Sequence, residues 1–361
     1  MDILAKARKM PDVIHMEVGE PDLPPAPEVT EAYIKAVRDN KSHYTPAKGL
    51  NELRDAISVY YGREYGITVS PERILVTPGT SGAFMVVFAL VTGEGRRLLL
   101  SDPSYPCYKN FARFLGTEPV FSDIGKETNY EIVPEAVASL DDIGAMVVSS
   151  PANPIGNLYR DETVKRLIQL SGEKGLWFIS DEIYHGLVYD KEEHTAIEYS
   201  DRAIVINGFS KYFCMPGYRL GWMILPEELV RKAEVIIQNI YISANTPAQY
   251  AALEAFHEGY LKHVKTTFQQ RRDFLYNELR HLFTIDAVPD GAFYIWADIS
   301  RYSSDAMEFC SRLLDQKGVA VTPGIDFGSN RTGHYVRFAY TQDLEKLKTG
   351  VQRIKEFLKK G

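Results

Sequence analysis

The stretch Ala203-Ile-Val-Ile-Asn207-Gly-Phe-Ser-Lys211 decides the fold. A short run that is apolar at successive residues, without alternation, reads as a strand buried on both faces. Here it stops at a glycine, a serine and a lysine. The same pattern recurs along the chain. Arg73-Ile-Leu-Val-Thr77 runs into Pro78-Gly79-Thr80-Ser81-Gly82, and Arg97-Leu-Leu-Leu-Ser101 into Asp102-Pro103-Ser104-Tyr105-Pro106. Ala145-Met-Val-Val-Ser149 runs into Ser150-Pro151-Ala152-Asn153-Pro154, and Leu176-Trp-Phe-Ile-Ser180 into Asp181-Glu182-Ile183-Tyr184. Helical spacing fills gaps between these runs, most clearly over residues 82–91 and 161–174, the second with Asp161 as its N-cap. Alternating strands and helices predict an α/β sheet, mostly parallel.

One run breaks the alternation. Gly221-Trp-Met-Ile-Leu225 follows Asn207 after thirteen residues that include Pro216 and Gly217. That leaves no room for a crossover helix, so the strand is expected to be antiparallel. Beyond Pro226 the pattern is helical to about Leu279. Shorter strands are expected at 291–297, 319–322 and 335–340, then a helix at 344–359. The proline-rich first forty residues are expected to join this C-terminal α+β part.

Composition narrows the function. Of 361 residues, 45% are hydrophobic and 25% charged, which excludes a disordered or collagen-like chain. Lys and Arg number 41 against 48 Asp and Glu, a net charge of −7 with no basic run, which argues against nucleic acid. Three cysteines (Cys107, Cys214, Cys310), none in a CxxC pair, give no basis for a disulfide framework or a metal site. The N-terminal MDILAKARKM lacks a signal-peptide core, and the longest apolar run, residues 83–91, is too short to span a membrane. A cytoplasmic protein is expected.

Ligands of open α/β sheets lie beyond the C-terminal strand ends. Here those ends carry Thr80, Ser81, Tyr105, Asn153, Asp181, Tyr184 and Lys211. The Pro78–Gly82 turn leads into a helix, whose N-terminal N–H groups favour an anion; an ordinary glycine-rich turn reads the same way. A lysine just after a buried strand is suited to form a Schiff base with a carbonyl, although a surface lysine is the commoner case. Arg219, eight residues on, has the fork that clamps a phosphate. The acids Asp181 and Glu182 after a buried strand read either as a helix N-terminus or with Asp181 holding a proton on a heterocyclic nitrogen, Asn153 and Tyr184 then lying near a ring hydroxyl and Tyr105 on the ring face.

Taken jointly, these motifs resemble the fold-type I, pyridoxal-phosphate-dependent aminotransferases of class I/II, the aspartate aminotransferase-like family. The motifs that carry the resemblance span almost the whole chain. They are Val-Gly19-Glu-Pro-Asp, Tyr44-Thr-Pro-Ala-Lys-Gly-Leu, Gly79-Thr-Ser-Gly82, Asp102-Pro-Ser-Tyr-Pro106 and Ser150-Pro-Ala-Asn-Pro-Ile-Gly156. They continue with Ser180-Asp-Glu-Ile-Tyr184, Ser210-Lys211 with Arg219, Pro323-Gly324 and Tyr335-Val-Arg-Phe-Ala-Tyr340. The fold expected is a large α/β domain on a mostly parallel seven-stranded sheet with one antiparallel strand, flanked by helices, plus a smaller α+β domain. Residues 41–265 would form the large cofactor-binding domain; residues 1–40 and 266–361 would form the small one.

The resemblance implies pyridoxal 5'-phosphate covalently linked to Lys211, which would also shuttle the substrate proton. Asp181 would pair with the ring nitrogen, and Tyr184 and Asn153 with the ring oxygen. Thr80, Ser81 and Arg219 would hold the phosphate, and Ser210 would also bind the cofactor. Arg337 would grip the substrate α-carboxylate with Asn153, and Gly19 would let substrate approach the backbone. Tyr44 would reach the neighbouring subunit's phosphate, which implies a homodimer. Amino-group transfer between an L-amino acid and a 2-oxo acid by ping-pong chemistry follows, with glutamate/2-oxoglutarate as one pair and aspartate, alanine or an aromatic amino acid as the other. Three departures stand out. Gly208 replaces a hydroxyl residue often found three before the lysine, which predicts one phosphate hydrogen bond fewer. The family's turn after Asn-Pro reads Ile155-Gly156, and the N-terminal arm is short.

Two other readings share this scaffold. Carbon–sulfur β-lyases tend to carry histidine near the Asn-Pro turn and after Asp-Glu-Ile, where this chain has Ser150-Pro-Ala-Asn153 and Tyr184. Effector-binding modules of some transcription factors carry an N-terminal DNA-binding domain, which is not expected ahead of the Gly19 motif.

Overall fold

The structure, a computed structural model, describes residues 2–93 and 96–359. Its strands are β1 (Ile14–His15), β2 (Ile74–Thr77), β3 (Arg97–Asp102), β4 (Pro119–Asp123), β5 (Ile143–Ser149), β6 (Trp177–Asp181), β7 (Ile204–Gly208), β8 (Gly221–Ile224), β9 (Tyr294–Asp298), β10 (Val319–Ala320), β11 (Thr322–Pro323) and β12 (Tyr335–Ala339). Seven form the main sheet in the order β2-β8-β7-β6-β5-β3-β4. As expected, β8 runs antiparallel to both neighbours, and the other pairs are parallel. Successive side chains leave opposite faces of a strand. Leu98 and Leu100 therefore enter one apolar layer while Leu99 enters the other, and Ile204 and Ile206 oppose Val205 in the same way. Both layers are closed by helices, which is why these strands tolerate no polar alternation.

The seventh strand, β4, is not evident as an apolar run. It lies at the sheet edge beside β3 and is only half-buried, so Pro119-Val-Phe-Ser-Asp123 mixes apolar with exposed polar residues. The helix expected to start at Gly82 begins at Gly79, which brings Thr80 and Ser81 into its first turn. Helix Asp161–Lys174 has its expected bounds, but Arg160 occupies the N-cap position and Asp161 is the first helical residue. The Asp161 carboxylate accepts from Lys165 and Tyr199 and so caps nothing. The segment expected as one strand at 319–322 is two: β10 pairs with β1, and β11 pairs with β12 in a separate three-stranded sheet, order β11-β12-β9. The long helical stretch after Pro226 divides into Glu227–Ile240, Thr246–Ala252 and Glu258–Leu279.

Residues 14–22 lie across the end of the three-stranded sheet. Ala339 N–H donates to the Met16 carbonyl (2.7 Å), Thr341 Oγ1 to the Val18 carbonyl (2.9 Å), and Arg271 pairs with Asp22 (2.6 Å). Those contacts carry Gly19 to the mouth of the main sheet. Helix Pro27–Arg38 packs on Thr246–Ala252. No helix among the described residues is long and apolar enough to cross a membrane.

Candidate active site

The loop between β7 and β8 is the centre of the site. Gly208 pairs with Gly221, and Phe209 N–H donates to the Leu220 carbonyl (3.1 Å), so the loop ends are pinned together. Lys211 and Arg219 stand near its two ends, which brings residues eight apart to one pocket. Because β8 also pairs with β2 (Thr77 beside Gly221), the turn that opens helix Gly79–Val91 joins them.

Three glycines make that junction possible. A Cβ on Gly79 would lie 2.6 Å from Arg219 Nη2, and Gly79 has a left-handed φ of +68°. One on Gly221 would lie 2.8 Å from the Thr80 nitrogen. One on Gly208 would meet Gly221 Cα at 3.0 Å and the Leu220 carbonyl at 3.1 Å. The departure at Gly208 thus has a steric reason: backbone fills the place of a side chain. Gly208→Ser is expected to destabilise the fold by about 1–3 kcal/mol through overpacking, read as a lower thermal midpoint, and not to tighten phosphate binding.

Arg219 is exposed, with its Nη1 donating to the Pro216 carbonyl (2.9 Å) and its own backbone left-handed at φ +54°. Thr80 and Ser81 are half-buried beside it, and Ser210 is buried.

Deeper in the pocket Asp181 closes β6, 3% exposed. Tyr108 donates to its Oδ2 and Ile183 N–H to its Oδ1 (3.2 Å). Burial lifts its pKa to about 6, against the pull of the Tyr108 hydrogen bond. Such a carboxylate is available for a cation placed against it. The neighbouring Glu182 does not begin a helix. It is wholly buried and accepts from Thr195 Oγ1 (2.8 Å) and Ala196 N–H (3.0 Å), anchoring the loop that carries Tyr184.

Lys211 Nζ donates to the Gly19 carbonyl (2.7 Å). Desolvation, then the charge of Arg337, lowers its pKa to about 8. Arg219 adds to that effect, while Glu20 and Asp181 oppose it. Arg337, 7% exposed, comes from β12. Its Nη1 donates to Asn153 Oδ1 (2.8 Å) and its Nη2 to the Glu17 carbonyl (2.6 Å). Its Nε is buried without a partner among the described residues. An unused buried donor on a guanidinium suits an incoming carboxylate.

Lys211, Asp181, Asn153, Tyr184, Arg219 and Arg337 are therefore drawn together, with Tyr105 at the rim in edge contact with Tyr108 (5.4 Å). Gly19 contributes its carbonyl; a Cβ there would lie 2.0 Å from Tyr294 Oη. Tyr44 lies on the surface, 76% exposed. Sequence reading missed Tyr108, Tyr294, Glu17 and Phe327. Only Tyr108 had a local signal, three residues after Tyr105 at a helix start. The others reach the pocket through tertiary contacts alone.

The donor set fits pyridoxal phosphate: an amine of lowered pKa, a buried carboxylate, and a guanidinium against a glycine-lined helix start. Comparison with known proteins agrees with the fold. The model of the family "Aminotransferase class I and II" matches residues 11–354. A Methanocaldococcus jannaschii protein named (5-formylfuran-3-yl)methyl phosphate transaminase is 38% identical, covering 100% of this chain and 96% of the relative. A valine–pyruvate aminotransferase of Mycobacterium tuberculosis is 35% identical, covering 96% of this chain and 91% of the relative. The crystal structure of an aminotransferase from the same bacterium superposes with a TM-score of 0.96 at 35% identity, over 100% of this chain and 96% of that one. Fold and likeness together define an enzyme that transfers amino groups. The chain belongs to the aminotransferase class I and II family.

Proposed function

We propose that the protein moves an amino group from an L-amino acid to a 2-oxo acid with pyridoxal 5'-phosphate held at Lys211, glutamate and 2-oxoglutarate forming one substrate pair. Aspartate, alanine or an aromatic amino acid would supply the other. The observation that carries this reading is one lysine amine of lowered pKa within electrostatic reach of Arg337, Arg219 and Asp181. Bound, the cofactor supplies a carbonyl carbon and an electron sink.

The chain's own groups do the rest. Lys211 holds the cofactor and, once displaced by substrate, takes the α-proton and returns it. Asp181, kept dry and oriented by Tyr108 and Ile183, holds a proton on the ring nitrogen. Tyr184 and Asn153 face the ring oxygen, and Tyr105 covers the ring. Thr80, Ser81, Ser210 and Arg219 bind the phosphate. Arg337 binds the α-carboxylate, and the Gly19 carbonyl borders the substrate. Tyr44 serves a partner subunit's site in a homodimer.

The test is an absorption spectrum of the purified protein with pyridoxal phosphate, before and after single amino acids are added without a keto acid. A yellow band that converts to the pyridoxamine form is expected, and the amino acids that drive it name the donor class. A band that persists while pyruvate and ammonia accumulate would show a lyase instead. No band at all would sink the cofactor assignment.

A further inference from the structure

Tyr294 sits where the carboxylate-facing and ring-facing halves of the site meet. It opens β9, opposite Ala339 of β12, and is 1% exposed. The Arg337 guanidinium lies 4.2 Å over its ring and 4.8 Å over the ring of Phe327. A cation in contact with two aromatic rings is restrained in position. At the other end of the side chain, Tyr294 Oη lies 2.8 Å from Tyr184 Oη, with both phenols buried. The same hydroxyl occupies the space a Cβ on Gly19 would need. Gly19 in turn accepts from Lys211 Nζ (2.7 Å).

We propose that Tyr294 is a positioning residue that links substrate-carboxylate binding to the ring oxygen: its face holds Arg337, and its hydroxyl donates to Tyr184. The inference rests on the function proposed above. Its logic is a count of protons. A phenol has one hydrogen to give. If Tyr184 spends that hydrogen on the ring oxygen, its bond to Tyr294 is made only by the Tyr294 hydrogen. Tyr294 then fixes the direction in which Tyr184 donates and strengthens the donation, as chained hydrogen bonds do. The charged or titratable groups around the pair include Arg337 from β12, Tyr105 before helix Cys107–Phe114, Tyr340 after β12, and Lys211, bonded to the Gly19 carbonyl beside the Tyr294 hydroxyl. Arg337 also donates to Asn153, so two connections run from the small sheet to the residues facing the ring oxygen.

The experiment is a spectrophotometric pH titration of the cofactor-loaded protein. Donors to the ring oxygen stabilise its anion and weaken its hold on the proton shared with the Lys211 nitrogen. Tyr294→Phe keeps the ring over Arg337 and removes only the hydroxyl. Its titration midpoint is expected to rise by about 0.3 to 1 pH unit, less than the rise in Tyr184→Phe. In a Tyr184→Phe background, adding Tyr294→Phe is expected to change nothing, because the effect passes through Tyr184. That double variant leaves neither hydroxyl orphaned and serves if the single variant folds poorly. An unchanged or lowered midpoint in Tyr294→Phe, or a further shift in the double variant, would overturn the inference. A wild-type protein that develops no band would instead overturn the function on which it rests.

Discussion

Lys211→Ala is expected to lower turnover by about 10⁴-fold or more, because in the proposed function one residue supplies both the covalent hold on the cofactor and the proton transfer. The proposed phosphate and ring contacts would be untouched, so the variant should still take up pyridoxal phosphate, without the band of the lysine-linked form. Near wild-type transamination by Lys211→Ala would show that another group does this work. The amine also predicts a pH effect. Its pKa lies at about 8, well below the ordinary value of 10.5, because burial and Arg337 disfavour the charge. Only the uncharged amine attacks a carbonyl. Uptake of cofactor by the cofactor-free protein should therefore accelerate as pH rises toward 8 and level off above it, where an ordinary lysine would still be gaining. Stopped-flow absorbance checks this. The sign for stability is the same: between the folded and unfolded values the unfolded chain binds the extra proton, so the cofactor-free fold gains stability across that window.

Arg337→Met is expected to lower kcat/KM for every amino acid by about 10² to 10³-fold, on the order of a buried charge-assisted pair. KM should rise as well. The loss has two sources. Substrate would lose its proposed carboxylate partner, and Asn153 Oδ1 and the Glu17 carbonyl would lose the donor that now satisfies them. Arg337→Lys should recover little, since an ammonium cannot reproduce two diverging N–H contacts together with the guanidinium's contacts to the Tyr294 and Phe327 rings. Steady-state kinetics on several amino acids would check this, and a defect confined to one of them would exclude an α-carboxylate role.

Legibility in the sequence followed physical locality. The buried strands were visible because a strand covered on both faces has no alternating polar positions: the middle residues of β3, β5, β6 and β7 are buried without a break. The reversed strand β8 was visible because thirteen residues cannot cross a sheet and return. The edge strand β4 was not, since one open side lets in polar residues. The split of 319–322 was equally hidden, because two-residue strands carry no period and their partners, β1 and β12, are remote in sequence.

The site divides in the same way. Lys211, Asp181, Asn153 and Arg219 stand at strand ends or in the turns that follow, so spacing along the chain sufficed to nominate them. Sequence by itself thus determined six of the sheet's seven strands, the reversal of one of them and the chemical inventory at their ends. Tertiary structure alone decided which groups surround that inventory. Tyr108 reaches Asp181 across 73 residues, Tyr294 reaches Tyr184 across 110, and the Glu17 carbonyl meets Arg337 across 320. It also decided why residue 208 is glycine. The reason is that backbone periodicity is written into neighbouring residues, whereas packing between distant segments depends on how sheets and loops close upon one another.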